Sequence, residues 1–128
     1  MTPEAADYLA KAREFLAKAQ DMLASGWPDE AARAAYLAGY HAAETYIFER
    51  TGKTVKTHRG LRSEFGRLAR SEPRIGREFL TFLVEAYEFK SIADYAIGAA
   101  ACPISEADAA SAIDTATRFV ECIAGLLK

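Results

Sequence analysis

The chain has 128 residues, just over half of them hydrophobic, and a net charge of −2, which fits one domain that buries a core without metal ions or disulfides. Its apolar runs fall short of the roughly 20 residues of a membrane span, and residues 1–4 lack the basic start of a signal peptide. We therefore expect one soluble, cytoplasmic domain over residues 1–128 that does not associate with a membrane.

The cysteines and histidines are too few and too dispersed to predict a metal site. Cys102 and Cys122 are distant in the sequence and belong to no paired-cysteine motif, and His41 and His58 are the only histidines. This pattern predicts neither a disulfide framework nor a zinc site. We expect no metal and no cofactor.

The first two predicted helices are joined by a short connection. The first begins at Thr2, a typical cap followed by Pro3, and ends at residues 25–26. The second begins at residues 27–30 and ends at Gly52. Because the connection is short, the two helices should be antiparallel neighbours.

Three further helices are predicted in the rest of the chain. Thr57 is expected to cap the third, which ends near Pro73, and the fourth should run from about Arg74 to Ala99. Ser105 then begins a fifth. Because alanine dominates the helix interiors and nothing alternates with period two, we predict an all-α, up-and-down bundle of four to five helices.

The predicted fourth helix carries a polar stripe beside its apolar face. Tyr87, Lys90 and Asp94 recur at helical spacing and share one side, while Phe89 and Ala93 can face the core. The stripe has two interpretations. It is either a functional site or a local Lys90–Asp94 ion pair at i,i+4, worth a few tenths of a kcal/mol.

Positive charge is concentrated in residues 50–77, here called the basic block. Nine basic and two acidic residues give the block a net charge of +7, and the remainder of the chain has −9. Arginine predominates over lysine, which suits bidentate contact with phosphate. The block fits either an anionic partner or a solvated helix balanced by acidic helices of the same molecule or a second subunit.

Three stretches resemble the HEPN family, the higher-eukaryote and prokaryote nucleotide-binding domain, and most of all its small stand-alone bacterial and archaeal members. They are residues 31–44 (AARAAYLAGYHAAE), residues 56–61 (KTHRGL) and residues 86–95 (AYEFKSIADY). The resemblance implies a four- to five-helix bundle that dimerises through its central helices. Such domains occur among RNA-cleaving toxins, RNA-processing proteins and companions of minimal nucleotidyltransferases.

In catalytic members of the family a helical arginine is followed four to six residues later by histidine. The resemblance puts Lys90 and Tyr95 at these positions. Lysine lacks the planar fork of arginine, and tyrosine, with an ordinary pKa near ~10, is a poor base at neutral pH. The resemblance therefore implies little or no RNA cleavage, with Lys90, Asp94 and Tyr95 as the candidates if an altered mechanism operates. His41 and His58 do not follow an arginine at this spacing. We therefore expect His41 to be a packed or hydrogen-bonded residue of its helix and His58 to help begin the third helix.

Helix two carries other residues for which packing is the expected role. Tyr36, Tyr40 and Tyr46 should bury their rings in the core or an interface. Arg33 and Glu44 are expected to form interface or surface ion pairs rather than to act as catalysts.

Three functions remain open from the sequence. The first is a HEPN-like homodimer, weakly catalytic or non-catalytic, that binds RNA or a nucleotide through an inter-subunit groove. The binding residues predicted for it are Tyr87, Lys90, Tyr95, Arg59, Arg62 and Arg70. The second is an interaction module for a nucleotidyltransferase-type or antitoxin-like partner, and the third is an active metal-independent, toxin-like ribonuclease. We expect a homodimer because the sequence gives helices two and four more apolar surface than one monomer should bury.

Overall fold

A computed structural model describes residues 1–95 and 104–128, and all regular secondary structure in this part is helical. Six helices follow one another: α1 (Pro3–Ala24), α2 (Pro28–Thr51), α3 (His58–Ala69), α4 (Arg77–Glu85), α5 (Tyr87–Tyr95) and α6 (Glu106–Leu126). The predicted all-α bundle is confirmed. Within these two segments, no helix combines the length and the apolar character needed to cross a bilayer.

Helices α1 and α2 are antiparallel, as their short connection predicts. Thr2 caps α1, because its side chain accepts a hydrogen bond of 3.2 Å from the backbone N–H of Ala5. The carboxylate of Glu49, near the end of α2, accepts hydrogen bonds from the backbone N–H and the hydroxyl of Thr2 at 2.8 and 3.0 Å. The start of α1 is thereby held against the end of α2.

Helix α2 lies at the centre of the bundle and packs against each of the other five helices. Its buried positions are mostly small: Ala31, Ala32, Ala34, Ala35, Ala38, Gly39, Ala42 and Ala43. Small side chains allow neighbouring helices to approach closely on several sides. The closest approach is at Gly39, where the ring of Phe82 from α4 occupies the space that a β-carbon would take.

Aromatic rings fill the space between α3, α4 and α6. Phe119 of α6 is fully buried, and its ring centroid lies 4.7 Å from that of Phe79 and 5.4 Å from that of Phe65. The caps predicted for α3 and α6 are confirmed, since Thr57 and Ser105 each accept a hydrogen bond from a backbone N–H three residues later. These caps fix where both helices begin.

The prediction of one continuous fourth helix is wrong. Gly76 is the N-cap of α4, which ends at Glu85, and α5 begins two residues later after Ala86. The backbone N–H of Phe89 donates to the carbonyl of Ala86, a spacing of three residues that tightens the chain at this point. Neither proline nor glycine marks the break. Helix α4 contacts α2, α3 and α6, whereas α5 packs along α2. The predicted end at Ala99 lies outside the described residues.

The expectation of surplus apolar surface on helix two is also wrong. Twelve residues of α2 are buried within the monomer. Among the described side chains, those of residues 1–94 and 104–128, the large hydrophobic ones that are exposed are Met1, Trp27 and Val84. Of these, Val84 alone belongs to the predicted fourth helix, so the described parts of helices two and four bury most of their apolar surface within the monomer.

The contact between Gly39 and Phe82 predicts opposite effects for two glycine-to-alanine changes. Gly39→Ala puts a β-carbon 2.6 Å from the Phe82 ring, and such overpacking costs about 1–3 kcal/mol. Gly125→Ala, on α6, meets nothing within 4 Å and should stabilise by up to about 1 kcal/mol, since glycine weakens a helix. Urea unfolding measures both. Equal stabilities of the two variants would contradict the close approach at Gly39.

Candidate functional site

Helices α2, α3 and α5 bring aromatic and basic side chains together at one place in the bundle. We call this group the aromatic-basic cluster: Tyr36 and Tyr40 of α2, His58 and Arg62 of α3, and Tyr87 and Lys90 of α5. The spacing of four residues places Tyr36 and Tyr40 on one face of α2, and likewise His58 and Arg62 on α3. The carboxylate of Asp94 acts on the cluster from α5, and that of Glu44 acts on Tyr40 from α2.

His58 is the centre of the cluster. Its Nδ1 lies 2.7 Å from the hydroxyl oxygen of Tyr36, within hydrogen-bonding distance. Its ring centroid lies 4.8 Å from that of Tyr40 and 5.0 Å from that of Tyr87. His58 begins α3, as predicted, and the cap of that helix at Thr57 fixes where its side chain leaves the backbone. The rings and the hydrogen bond then hold the imidazole in place.

The surroundings of His58 favour its neutral form. Burial lowers the pKa of the imidazole, and the positive charges of Lys90 and Arg62 lower it further, with Asp94 acting in the opposite direction. Burial also raises the pKa of the Tyr36 phenol, against the positive charge of Arg62. Both members of the hydrogen bond are therefore uncharged at neutral pH.

Arg62 brings a positive charge into partly buried surroundings. Its guanidinium carbon lies 5.4 Å from the ring centroid of Tyr87, a cation–π contact. Its Nη1 is buried and has no hydrogen-bond partner in the part of the chain that the structure describes. A buried donor without a partner costs about 1–3 kcal/mol, so this atom would gain from an acceptor supplied by a ligand.

The predicted pairing of Lys90 with Asp94 is found, and a second cation joins it. The Nζ of Lys90 lies 2.5 Å from one carboxylate oxygen of Asp94, and the Nε of Arg33 lies 2.6 Å from the other. Hydrogen bonds from Lys90, and to a lesser degree from Arg33, lower the pKa of Asp94 against the effect of burial. Two positive groups share one negative group, and only 15% of the Lys90 side chain is exposed. The polar stripe of α5 is thus an ion-pair network fastened to α2.

The remaining predicted site residues lie apart from the cluster or outside the described side chains. Arg59 is exposed on α3, and Arg70 is the exposed C-cap residue at the opposite end of that helix, roughly 16 Å along its axis. The backbone of Tyr95 ends α5, but its side chain lies outside what the structure describes. Tyr87 and Arg62 are in contact, and they form the link between the predicted stripe and the basic block.

The basic block keeps most of its positive charge exposed. Its two acidic residues pair within the block, Glu64 with Arg67 and Glu72 with Arg74. Arg59, Arg62 and Arg70 form no ion pair with the described residues. The alternative in which acidic helices of the same chain neutralise the block therefore has no support from the described contacts.

Sequence reasoning predicted that His58 begins α3 but missed the side chains that surround it, whereas it predicted His41 correctly. His41 is packed and hydrogen-bonded: its Nδ1 lies 2.8 Å from Glu44, and its ring stacks on that of Phe15 at 5.5 Å. His58 received only the role of starting α3. The one available signal was the pairing of Tyr36 with Tyr40 on a single helix face, and that pattern does not reveal which side chain packs against it.

Within residues 1–95 and 104–128, no group of three or more His, Cys, Asp or Glu side chains is arranged to hold a metal ion. The donor groups of the cluster are instead imidazole, phenol, guanidinium and ammonium. At neutral pH this set offers hydrogen-bond donors and positive charge, which suits an anionic ligand.

Comparison with known proteins agrees with this fold. No curated protein matches the chain significantly. The crystal structure of TT1696 from Thermus thermophilus is similar over 97% of this chain and 98% of that one, with a TM-score of 0.80 and 21% sequence identity. The family model of the HEPN domain matches residues 5–126. This match spans nearly the whole chain, and the protein therefore belongs to the HEPN domain family.

Proposed function

We propose that this HEPN protein forms a homodimer and binds RNA or a nucleotide through a groove that contains the aromatic-basic cluster, with little or no catalysis. The observation that carries the proposal is the meeting of half-buried aromatic rings with Arg62 and Lys90 around one imidazole. The proposal goes beyond membership of the family because it names the residues of this chain that would bind the ligand.

The cluster has the two kinds of group that single-stranded nucleic acids use. Unpaired bases stack on aromatic rings, and phosphates contact arginine and lysine. Tyr36 is fully buried and cannot touch a ligand, but Tyr40, His58 and Tyr87 are only partly buried. The unpartnered Nη1 of Arg62 supplies a donor for an anionic oxygen.

The local charge also favours an anion. Arg33, Arg62 and Lys90 contribute three positive charges, Asp94 and Glu44 contribute two negative charges, and His58 is neutral at neutral pH. Arg59 and Arg70 add exposed positive charge near the two ends of α3, apart from the cluster. Positive charge in this region attracts a polyanion and orients it before close contacts form.

Efficient cleavage of RNA is not expected from this arrangement. The ammonium of Lys90 is bound to Asp94, which weakens its capacity to stabilise a developing negative charge. Lysine also lacks the bidentate geometry of arginine. Tyr95 occupies the position at which catalytic relatives carry histidine, and a phenol is a poor proton acceptor at neutral pH.

The homodimer is proposed from the family resemblance, because the described residues expose too little apolar surface to indicate an interface by themselves. We expect Tyr87, Lys90, Asp94 and Tyr95 to lie near a two-fold axis, with Val84, exposed on the neighbouring α4, close to the interface. Light scattering at tens of micromolar should give the mass of two chains. Val84→Asp should shift the protein toward monomer, whereas Trp27→Asp, at the distant α1–α2 turn, should not. A monomeric wild-type protein would overturn this part of the proposal.

Three arginines of the basic block provide the test of RNA binding. Replacing Arg59, Arg62 and Arg70 by alanine should weaken binding of a single-stranded RNA. The slope of log K against log salt should flatten by about 0.7 for each phosphate that the variant no longer neutralises. The control for each single variant is Arg13→Ala. It also removes one positive charge, but from α1, outside the basic block, where Arg13 pairs with Glu121.

The same measurement distinguishes RNA binding from the interaction module. If the wild-type protein binds no RNA more tightly than about 10⁻⁴ M, the binding proposal fails. A triple variant that instead loses affinity for a nucleotidyltransferase-type or antitoxin-like protein would support the interaction module.

Activity measurements test the proposed lack of catalysis. The purified protein should cleave RNA weakly or not at all in the presence of a chelator. Lys90→Arg combined with Tyr95→His restores the family pair and should raise cleavage above the background of either single variant. Robust metal-independent cleavage by the unmodified protein, lost in Tyr95→Phe, would show that an altered mechanism operates.

A further inference from the structure

We propose that His58 is a ligand-contacting residue of this site, whose Nε2–H donates to a phosphate oxygen of the bound RNA or nucleotide held between Arg62 and Lys90. The inference rests on the proposed function and assigns a residue that the family spacing of arginine and histidine does not indicate. In this role an imidazole from α3 stands beside the cation of α5.

The first argument is that the two ring nitrogens of His58 have different surroundings. Nδ1 is occupied by the Tyr36 hydroxyl at 2.7 Å. Nε2 forms no hydrogen bond with any residue in the described part of the chain. Because Tyr36 anchors one side of the ring, the other nitrogen is held ready for a partner from outside the bundle.

The second argument is that the Tyr36 hydroxyl suits both protonation states of His58. A hydroxyl can donate to a neutral Nδ1, which leaves the proton on Nε2, and it can rotate to accept from Nδ1–H when the ring is charged. In both of these arrangements Nε2 carries a hydrogen, and an anion beside Nε2 favours them over the neutral tautomer that has its proton on Nδ1. The anchor therefore supports an Nε2–H donor before and after the ring takes up a proton.

The third argument is the charge around the ring. The titratable and charged groups that face His58 are Tyr36 and Tyr40 from α2, Arg62 from α3, and Tyr87, Lys90 and Asp94 from α5. Two of these are positive and one is negative, so an empty site disfavours a charged imidazole. A bound phosphate reverses this balance, because its negative charge lies beside all three donors.

The sign of the resulting pH dependence follows from linkage. In the free protein, burial and the nearby cations lower the pKa of His58 below its ordinary value, which is about 6.5. A phosphate beside the ring raises that pKa in the complex. A group whose pKa rises on binding takes up a proton when the ligand binds, so affinity increases as the pH falls. Imidazole is the group in this set whose ordinary pKa lies between pH 5 and 8.

The experiment is a pH series of binding with a labelled single-stranded RNA at constant salt. Between about pH 7.5 and about pH 5.5, wild-type affinity should rise, by at most tenfold per pH unit for one linked proton. His58→Gln keeps a polar side chain but cannot take up the proton, and it should bind more weakly and lose this rise. His41→Gln removes the other histidine, which pairs with Glu44, and this variant should keep the rise in affinity at lower pH.

A second measurement needs no variant protein. Ring nitrogen NMR of the wild-type protein should place the proton of free His58 on Nε2, and RNA should raise the pH at which this ring titrates while the His41 signals stay unchanged. An Nε2 signal that does not change on RNA addition would overturn the assignment even if His58→Gln failed to fold.

The outcomes separate this inference from the function on which it rests. If the wild-type protein binds no RNA at any pH in the series, both the function and the role of His58 are overturned. If it binds RNA and His58→Gln has the wild-type affinity and pH dependence, binding stands and only the role of His58 is overturned. If the pH dependence is lost in His58→Gln and kept in His41→Gln, the assignment is supported.

Discussion

The structure depends on the small side chains of α2. Helix α2 packs against five others, and its alanines and Gly39 keep the surrounding backbones close. Where α2 does carry large rings, they fill specific spaces. Tyr46 packs edge to face against Phe65 of α3, and Tyr36 reaches between α3 and α5. The position of the candidate site is therefore a consequence of how α2 is covered.

The break at Ala86 gives that site its third side. The ring of Phe79 on α4 stacks on Phe119 of α6, whereas Tyr87 at the start of α5 packs against Tyr36 of α2. At the other end of α5, Asp94 reaches Arg33, nearer the start of α2. The ion-pair network then fastens α5 at its far end. This contact also explains why Lys90 combines a charged group with low exposure.

The aromatic-basic cluster combines positive charge with aromatic packing and contains a buried hydrogen-bond donor, the Nη1 of Arg62, that has no acceptor among the described residues. The ring of Tyr87 covers one side of the partly buried Arg62, and in such surroundings a donor without a partner among the described residues is costly. His58 remains uncharged in the same surroundings. The cluster combines several hydrogen-bond donors and two cations with the nearby carboxylates of Asp94 and Glu44. These features support the proposal that it binds an anion.

The sequence by itself determined the helical class, the capped starts of α1, α3 and α6 and the antiparallel α1–α2 pair, because each depends on residues within a few positions of one another or on a short connection. The Lys90–Asp94 pairing is one of two interpretations that the sequence allowed. Only the tertiary structure decided the break at Ala86, the burial of α2 and the meeting of His58 with Tyr36, Arg62 and Tyr87. These features join residues on separate helices, and helical periodicity indicates which face of each helix is apolar without indicating which other helix covers it.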